Sequence, residues 1–402
     1  SIEYVDNDEW QKSNGVSLLK AGPKLGETFG LLMSDHIFDP KIFKKLAETR
    51  LGTDGVALLT DRDIPSVFDL DDATKVATKG DRIVAIGKTI PTYDCIDTGL
   101  FKCSRRFLDA IEAVYRAKGD ASLSNGMQAL SDQGQARAED ATGFWWQDVD
   151  AKAAYRHGEK LLMRSLVKPT DVWVSRNLNR PISMFFSKRI APFAVRPHVV
   201  SLLSAAPGIL SFFFLLRGDA LGFALGGLCF HLASVMDGCD GEIARLKFQE
   251  SKAGEWIDTV CDVISYVSFT AGLGLGLHAA TQDSAYLWFG GITLGSMVAL
   301  LGVMAGFLFS KADRGTLIAV DQALTQRLDE TPSIGARVVS TLKPLMKRAN
   351  FSLLLFLLCA LGQAPLVLGL ILAGVVSTLA VLLAKLTRPG VKPQAARIRR
   401  VA

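Results

Sequence analysis

Residues 237–262, DGCDGEIARLKFQESKAGEWIDTVCD, decide the architecture of this chain. The stretch reads D-x2-D-G-x2-A-R-x8-G-x3-D-x3-D and has apolar runs on both sides. On a helix, Asp237, Asp240, Gly241, Ala244 and Arg245 recur at i, i+3, i+4, i+7 and i+8, while Gly254, Asp258 and Asp262 recur at i, i+4 and i+8. Each set therefore lines one face. Two helices joined near residues 247–252 can aim all four carboxylates at one point. Unpaired acids in a partly buried place repel one another and resist ionising, so hard divalent cations are their natural partners. Two Mg2+ ions, or two Mn2+ ions, about 4 Å apart make a known device for displacement at phosphorus. Gly241, Ala244 and Gly254 leave space beside such ions, and Arg245 offers a forked cation to a phosphate. Acids at helical spacing are common on soluble surfaces, but these border membrane-length apolar segments, where ionisable groups carry function.

All eight fixed positions match the signature of the CDP-alcohol phosphotransferase family, which this stretch resembles. The resemblance implies a six-helix integral membrane enzyme, usually a homodimer, that moves a substituted phosphate from a CDP-alcohol donor to an acceptor hydroxyl and releases CMP. It also implies that Asp237, Asp240 and Asp258 hold metal, and that Asp262 shares the second ion and acts as general base. Gly241, Ala244, Arg245 and Gly254 would frame the CDP.

The composition agrees with a two-part chain. Its 402 residues suffice for two domains, and a mean hydropathy of +0.25 averages an ordinary first half with a very apolar second half. Residues 1–165, with frequent charges and short apolar runs, read as a soluble α/β domain. Residues 166–197 read as a linker with a juxtamembrane helix, 198–390 as an all-α membrane domain, and 391–402 as a basic cytoplasmic tail. Six spans are expected, at 198–216, 219–236, 257–278, 285–309, 351–363 and 364–385. The hydrocarbon core is ~30 Å thick and needs about 20 helical residues, so the fifth and sixth could form one long re-entrant run, but Gly362, Gln363, Ala364 and Pro365 supply a turn between them and two spans are expected.

Charge sets the expected orientation. Arg245, Lys247 and Lys252 lie in the second loop, and Lys311, Arg314, Arg327, Arg337, Lys343, Lys347 and Arg348 in the fourth. The opposite loops carry only Arg217 as a cation, so both termini and the carboxylates are expected on the cytoplasmic side of the lipid bilayer. Residues 179–197 mix Met184, Phe185, Phe186, Ile190 and Phe193 with Arg180, Lys188, Arg189 and Arg196, as an amphipathic helix on the membrane surface does. Pro197 would break it before the first span. The six cysteines form no CxxC pair, the five histidines show no zinc spacing, and no cleavable signal peptide is visible. The net charge of +5, gathered near the membrane, suits anionic lipid and phosphorylated substrates, and no nucleic-acid motif occurs.

The first 165 residues carry a second resemblance. EYVDNDEWQKSNGVSLLKA, FGLLMSDHIFD, IDTGLFKCSRRFLDAI and GFWWQDVDAKAAYRHGEKLL are similar to successive pieces of a sugar-phosphate nucleotidyltransferase of the kind that makes CDP-inositol. FGLLMSDH reads as a buried strand ending in an acid. The resemblance makes Asp35 a metal ligand, with Asp148 or Asp150 completing the site; without it, Asp35 caps the next segment and the other two lie in a turn. That family's first strand and glycine-rich nucleotide loop would precede Glu3, and no GxGxR-x-K pattern occurs here. The expectation is an incomplete nucleotidyltransferase domain built on a parallel sheet.

Chains that resemble this one over both halves pair an inositol-1-phosphate cytidylyltransferase with a di-myo-inositol phosphate phosphate synthase. The resemblance thus implies CDP-inositol as donor and inositol 1-phosphate, a polyol phosphate, as acceptor. Lys311, Arg314, Lys347 and Arg348 are the candidate cations for the acceptor phosphate. A phospholipid synthase using CDP-diacylglycerol would need the same eight residues, and a non-catalytic cation-binding membrane scaffold would be marked by a lost motif acid. None of the four is lost.

Overall fold

The computed structural model describes residues 2–310 and 347–386. Lys311, Arg314 and the expected basic tail at 391–402 lie outside the described residues. Contacts divide the chain into two units, Ser1–Leu166 and Val167–Ala402.

The first unit is built around β3 (Val56–Asp61), whose six residues VALLTD are all buried. Such a continuous apolar run belongs inside a sheet covered on both faces. β1 (Thr28–Leu32), β4 (Lys75–Lys79), β5 (Arg82–Gly87), β6 (Cys95–Ser104) and β7 (Ala136–Asp140) complete a six-stranded sheet of order β1-β6-β3-β7-β5-β4. β4 also pairs with β6. The expected parallel sheet is corrected, because only β3 and β7 run parallel and the other pairings are antiparallel. FGLLMSDH is corrected too. β1 alternates exposed and half-buried positions at the sheet edge and pairs only with β6, so it is not a buried strand.

Helices α1 (Asn14–Ala21), α3 (Arg105–Lys118) and α4 (Leu123–Ser131) pack together. Phe107, Ile111 and Met127 from them join Val56, Leu58 and Phe101 of the sheet in one core. On α2 (Ile42–Glu48), Ile42 and Leu46 join a second cluster with Leu59 and Leu100. A two-stranded ribbon, β2 (His36–Phe38) with β8 (Trp146–Asp148), and helix α5 (Lys152–Ser165) complete the unit.

In the second unit, α6 (Arg180–Ile190) follows a widened turn at Ser175–Asn179, where Arg180 N–H donates to Ser175 O, five residues back. Pro181 has no N–H to return to the carbonyl of Asn177, which removes one rung of a regular helix there. The expected surface helix ends at Ile190 rather than running to Pro197, and Pro197 opens the next helix at its first turn, where its missing N–H costs nothing.

Among the described residues, four helices are long and apolar enough to cross a membrane: α7 (Pro197–Leu215), α8 (Ala220–Leu246), α9 (Lys252–Thr281) and α10, apolar over Ala285–Val303 of its range Ala285–Ser310. α11 (Arg348–Ala360) is apolar but shorter, and α12 (Ala364–Leu386) is apolar over Ala364–Leu379. The second expected span, 219–236, ends on the residue before the first acid; the helix itself continues through the first half of the motif to Leu246. α7 and α9 approach so closely that a Cβ on Gly276 would strike the Leu215 carbonyl and one on Gly272 would lie 2.9 Å from Phe212. Small residues permit that approach in place of large apolar ones. Phe230, Phe269, Leu273 and Leu355 fill the centre, and all six cysteines are buried and unpaired.

Candidate active site

Asp219 caps α8 and Ser251 caps α9, each accepting a backbone N–H three residues on, so both motif helices start at defined positions. The helices are joined by residues 247–251, and their facing acids meet. Asp237 from α8 and Asp258 and Asp262 from α9 each offer an oxygen within 4.8 Å of the others. Asp240 sits beside this set, not within it. It accepts from Ser201 of α7 and reaches the Asp258 carboxyl.

The cluster fits a divalent ion on the donor chemistry present. The three converging groups are hard carboxylate oxygens, and Asp258 Oδ1 is buried without a hydrogen-bond partner among the described residues. Such an orphaned acceptor costs free energy unless something cationic meets it.

Arg348, expected to face an acceptor phosphate, pairs instead with the acids. Its Nη1 lies 2.6 Å from Asp237 Oδ1 and also bonds Asp262 Oδ1. Four carboxylates this close need compensating charge, and the first residue of α11 supplies part of it. Lys347 donates to Thr170 O at 2.6 Å. Gly241 and Gly254 lie on the same two helices; a Cβ on Gly241 would meet Arg245 Nη1 at 3.4 Å, and one on Gly254 would meet His198 Cε1 at 3.4 Å. Ala244 and Arg245 are half-buried on the same face.

The motif contains one residue whose importance its spacing does not reveal. Glu242 is fully buried and accepts from Arg180 Nη1, Ser183 Oγ and Ser187 Oγ, each at 2.7 Å. Arg180 also holds Asp171 through Nε at 2.9 Å. This network ties α6 to the turn of α8 that bears Asp240 and Gly241. No spacing could reveal it, because Glu242 lies among other charged residues and its partner Arg180 is 62 positions away in sequence.

Residues 194–322 match the CDP-alcohol phosphatidyltransferase family, and this range contains the whole eight-residue motif. The chain carries a CDP-alcohol phosphatidyltransferase domain. Over 297 residues the chain is 30% identical to a protein of Aquifex aeolicus named bifunctional IPC transferase and DIPP synthase, covering 74% of this chain and 65% of that protein. Over 278 residues it is 36% identical to a protein of the same name from Rubrobacter xylanophilus, covering 68% of this chain and 62% of that one. The chain thus spans less than two thirds of these relatives. Among solved structures, an inositol-1-phosphate CTP transferase from T. maritima aligns at 26% identity over 37% of this chain and 60% of its own, with a TM-score of 0.33 that carries no argument about the fold.

The first unit gathers its own acids. Register places His36 opposite Asp148 in the β2–β8 ribbon, and Asp35, His36 and Asp148 offer ligand atoms within 4.8 Å of one another. Asp72, Asp148 and Asp150 form a second such group that shares Asp148. Both border a cavity of about 640 Å3. Asp148 is a strand residue of β8 opposite His36 rather than a turn residue, and Asp35 lies in the turn before β2 with its Oδ1 2.9 Å from His36 Nδ1. Gly99 of β6, at φ +77°, makes room for the His36 ring, which a Cβ would meet at 2.7 Å. Burial pushes the Asp148 carboxyl upward, helped by Asp150, Asp35 and Asp72 and opposed by His36.

Proposed function

We propose that the second unit transfers a substituted phosphate from a CDP-alcohol to an acceptor hydroxyl and releases CMP, with CDP-inositol as donor, inositol 1-phosphate as acceptor and di-myo-inositol phosphate phosphate as product. The convergence of Asp237, Asp258 and Asp262 beside Asp240, where two membrane-length helices meet, carries this reading. The relatives' printed names supply the inositol chemistry.

Asp237, Asp240, Asp258 and Asp262 would hold two Mg2+ ions, which when bound neutralise the donor pyrophosphate and the departing CMP. Arg245, beside Gly241, holds a donor phosphate in a forked grip. Asp262 takes the proton from the acceptor hydroxyl as its oxygen attacks the β-phosphorus. The bond from that phosphorus to the bridging oxygen breaks, and CMP leaves with the electron pair. Arg348, at the edge of the cluster, can exchange its contact with Asp237 and Asp262 for the acceptor phosphate. Lys311 and Arg314 are further candidates for that phosphate.

The protein is read as a homodimeric, integral membrane enzyme with this site facing the cytoplasm. In the first unit, Asp35, Asp148 and Asp150 are read as ligands of a divalent ion serving formation of the CDP-polyol. The deciding experiment supplies the chain and Mg2+ with inositol 1-phosphate and either CDP-inositol or CDP-diacylglycerol. CMP release with CDP-inositol supports the reading; turnover with the lipid donor alone rejects it in favour of a phospholipid synthase. Release of CMP from neither marks a cation-binding scaffold.

A further inference from the structure

A chamber of about 280 Å3 borders Asp237, and no residue of α9 lines it. It is lined by Asp237 and Arg348 and by Lys168, Ser175 and Asn179 of the segment preceding α6. Arg180, which also lines it, is already committed to Asp171 and Glu242. Lys168, exposed, and Lys347, just before α11, add cationic character to the chamber.

Asn179 departs from the usual pattern of a buried amide. The residue is 5% exposed, and its Oδ1 is buried with no hydrogen-bond partner among the described residues. An acceptor left in this state costs about 1–3 kcal/mol, which a ligand hydroxyl would recover. The widened turn at Ser175–Asn179 places Asn179 here, and such turns gather at functional sites. Amide oxygen, lysine ammonium and guanidinium around a water-sized-to-sugar-sized space suit a ligand with hydroxyls and a phosphate, and do not suit an acyl chain.

We infer that Asn179 and Lys168 set acceptor specificity, Asn179 by accepting a hydrogen bond from a polyol hydroxyl and Lys168 by attracting the acceptor phosphate. The inference rests on the transferase reading above and goes further by naming the residues that distinguish one phosphorylated acceptor from another. A site built to take a hydroxyl's hydrogen bond rejects an analogue that lacks the hydroxyl, because its own acceptor is then left unpaired.

The test uses the full chain in detergent with Mg2+, CDP-inositol as donor, and inositol 1-phosphate or glycerol 3-phosphate as acceptor. Asn179→Ala should raise KM for inositol 1-phosphate about tenfold, leave KM for CDP-inositol within about twofold, and narrow the preference over glycerol 3-phosphate. Lys168→Ala should raise KM for both acceptors by similar factors. CMP binding reports folding, and if Asn179→Ala does not fold, Asn179→Ser carries the same comparison. Parent-like KM and acceptor preference in the Asn179 variant overturn this inference alone. A parent protein that releases no CMP with either acceptor overturns the transferase reading and this inference together.

Discussion

Arg348 Nη1 lies 2.6 Å from Asp237 Oδ1, so the first residue of α11 is bonded to an acid of α8. Asp262 of α9 joins the same guanidinium, and three helices are thereby tied at the carboxylate cluster. Replacing Arg348 with Ala removes the compensating charge. In EDTA the variant should lose about 1–3 kcal/mol of stability. Mg2+ should restore much of it, read as a larger metal-induced rise in the thermal unfolding temperature than the parent shows. An equal rise in both proteins would contradict a shared role for cation and guanidinium.

Asp262→Asn keeps the size of the side chain and removes its basicity. CMP release should fall by about 10^2–10^4-fold while binding of CMP stays near the parent value. Full turnover in this variant would remove Asp262 from the proton-transfer role.

Glu242→Ala leaves Arg180 with Asp171 as its remaining acid and deprives Ser183 and Ser187 of an acceptor. A loss of about 3 kcal/mol is expected for a pair this deeply buried. Glu242→Gln, which retains an oxygen for the serines, should lose less. Chemical denaturation in detergent ranks the two; the opposite order would refute the network as drawn.

Chelation gives the simplest check on the metal. EDTA should abolish CMP release, and Mg2+ or Mn2+ should restore it, whereas activity that persists after exhaustive chelation is incompatible with a carboxylate-held ion.

In the first unit, burial pushes the Asp97 carboxyl up to about 6, against the Gly99 N–H and His36, which favour its charged form. A raised carboxyl binds its proton more tightly in the folded state, so its contribution to stability is full below about 4 and lost as pH rises through about 6. The loss is about 3 kcal/mol at most. Hydrogen exchange of β6 amides in metal-free protein, corrected for intrinsic rates, should show protection falling across that window in the parent and not in Asp97→Asn. The same fall in both would remove Asp97 as its origin.

Much of the second unit was legible because helical periodicity is local. The i, i+3, i+4 rows of residues 237–262 and the lengths of the apolar runs depend only on helix geometry, and four long spans follow from them. The sheet was less legible. A run such as FGLLM has the same composition whether it lies in the middle of a parallel sheet or on an antiparallel edge, and pairing with β6 decides between them. Glu242 and Asn179 were passed over because their partners, or the lack of them, lie on segments distant in sequence or in a cavity that no spacing describes.

By itself the sequence determined that two helices each present acids on one face, since residue spacing and the 3.6-residue turn suffice for that. Only the tertiary structure decided which acids meet. Packing of α7, α8, α9 and α11 put Asp240 against Ser201, grouped Asp237 with Asp258 and Asp262, and brought Arg348 onto two of them. Those contacts depend on close helix approach and on charge compensation across the fold, neither of which is a property of any one segment.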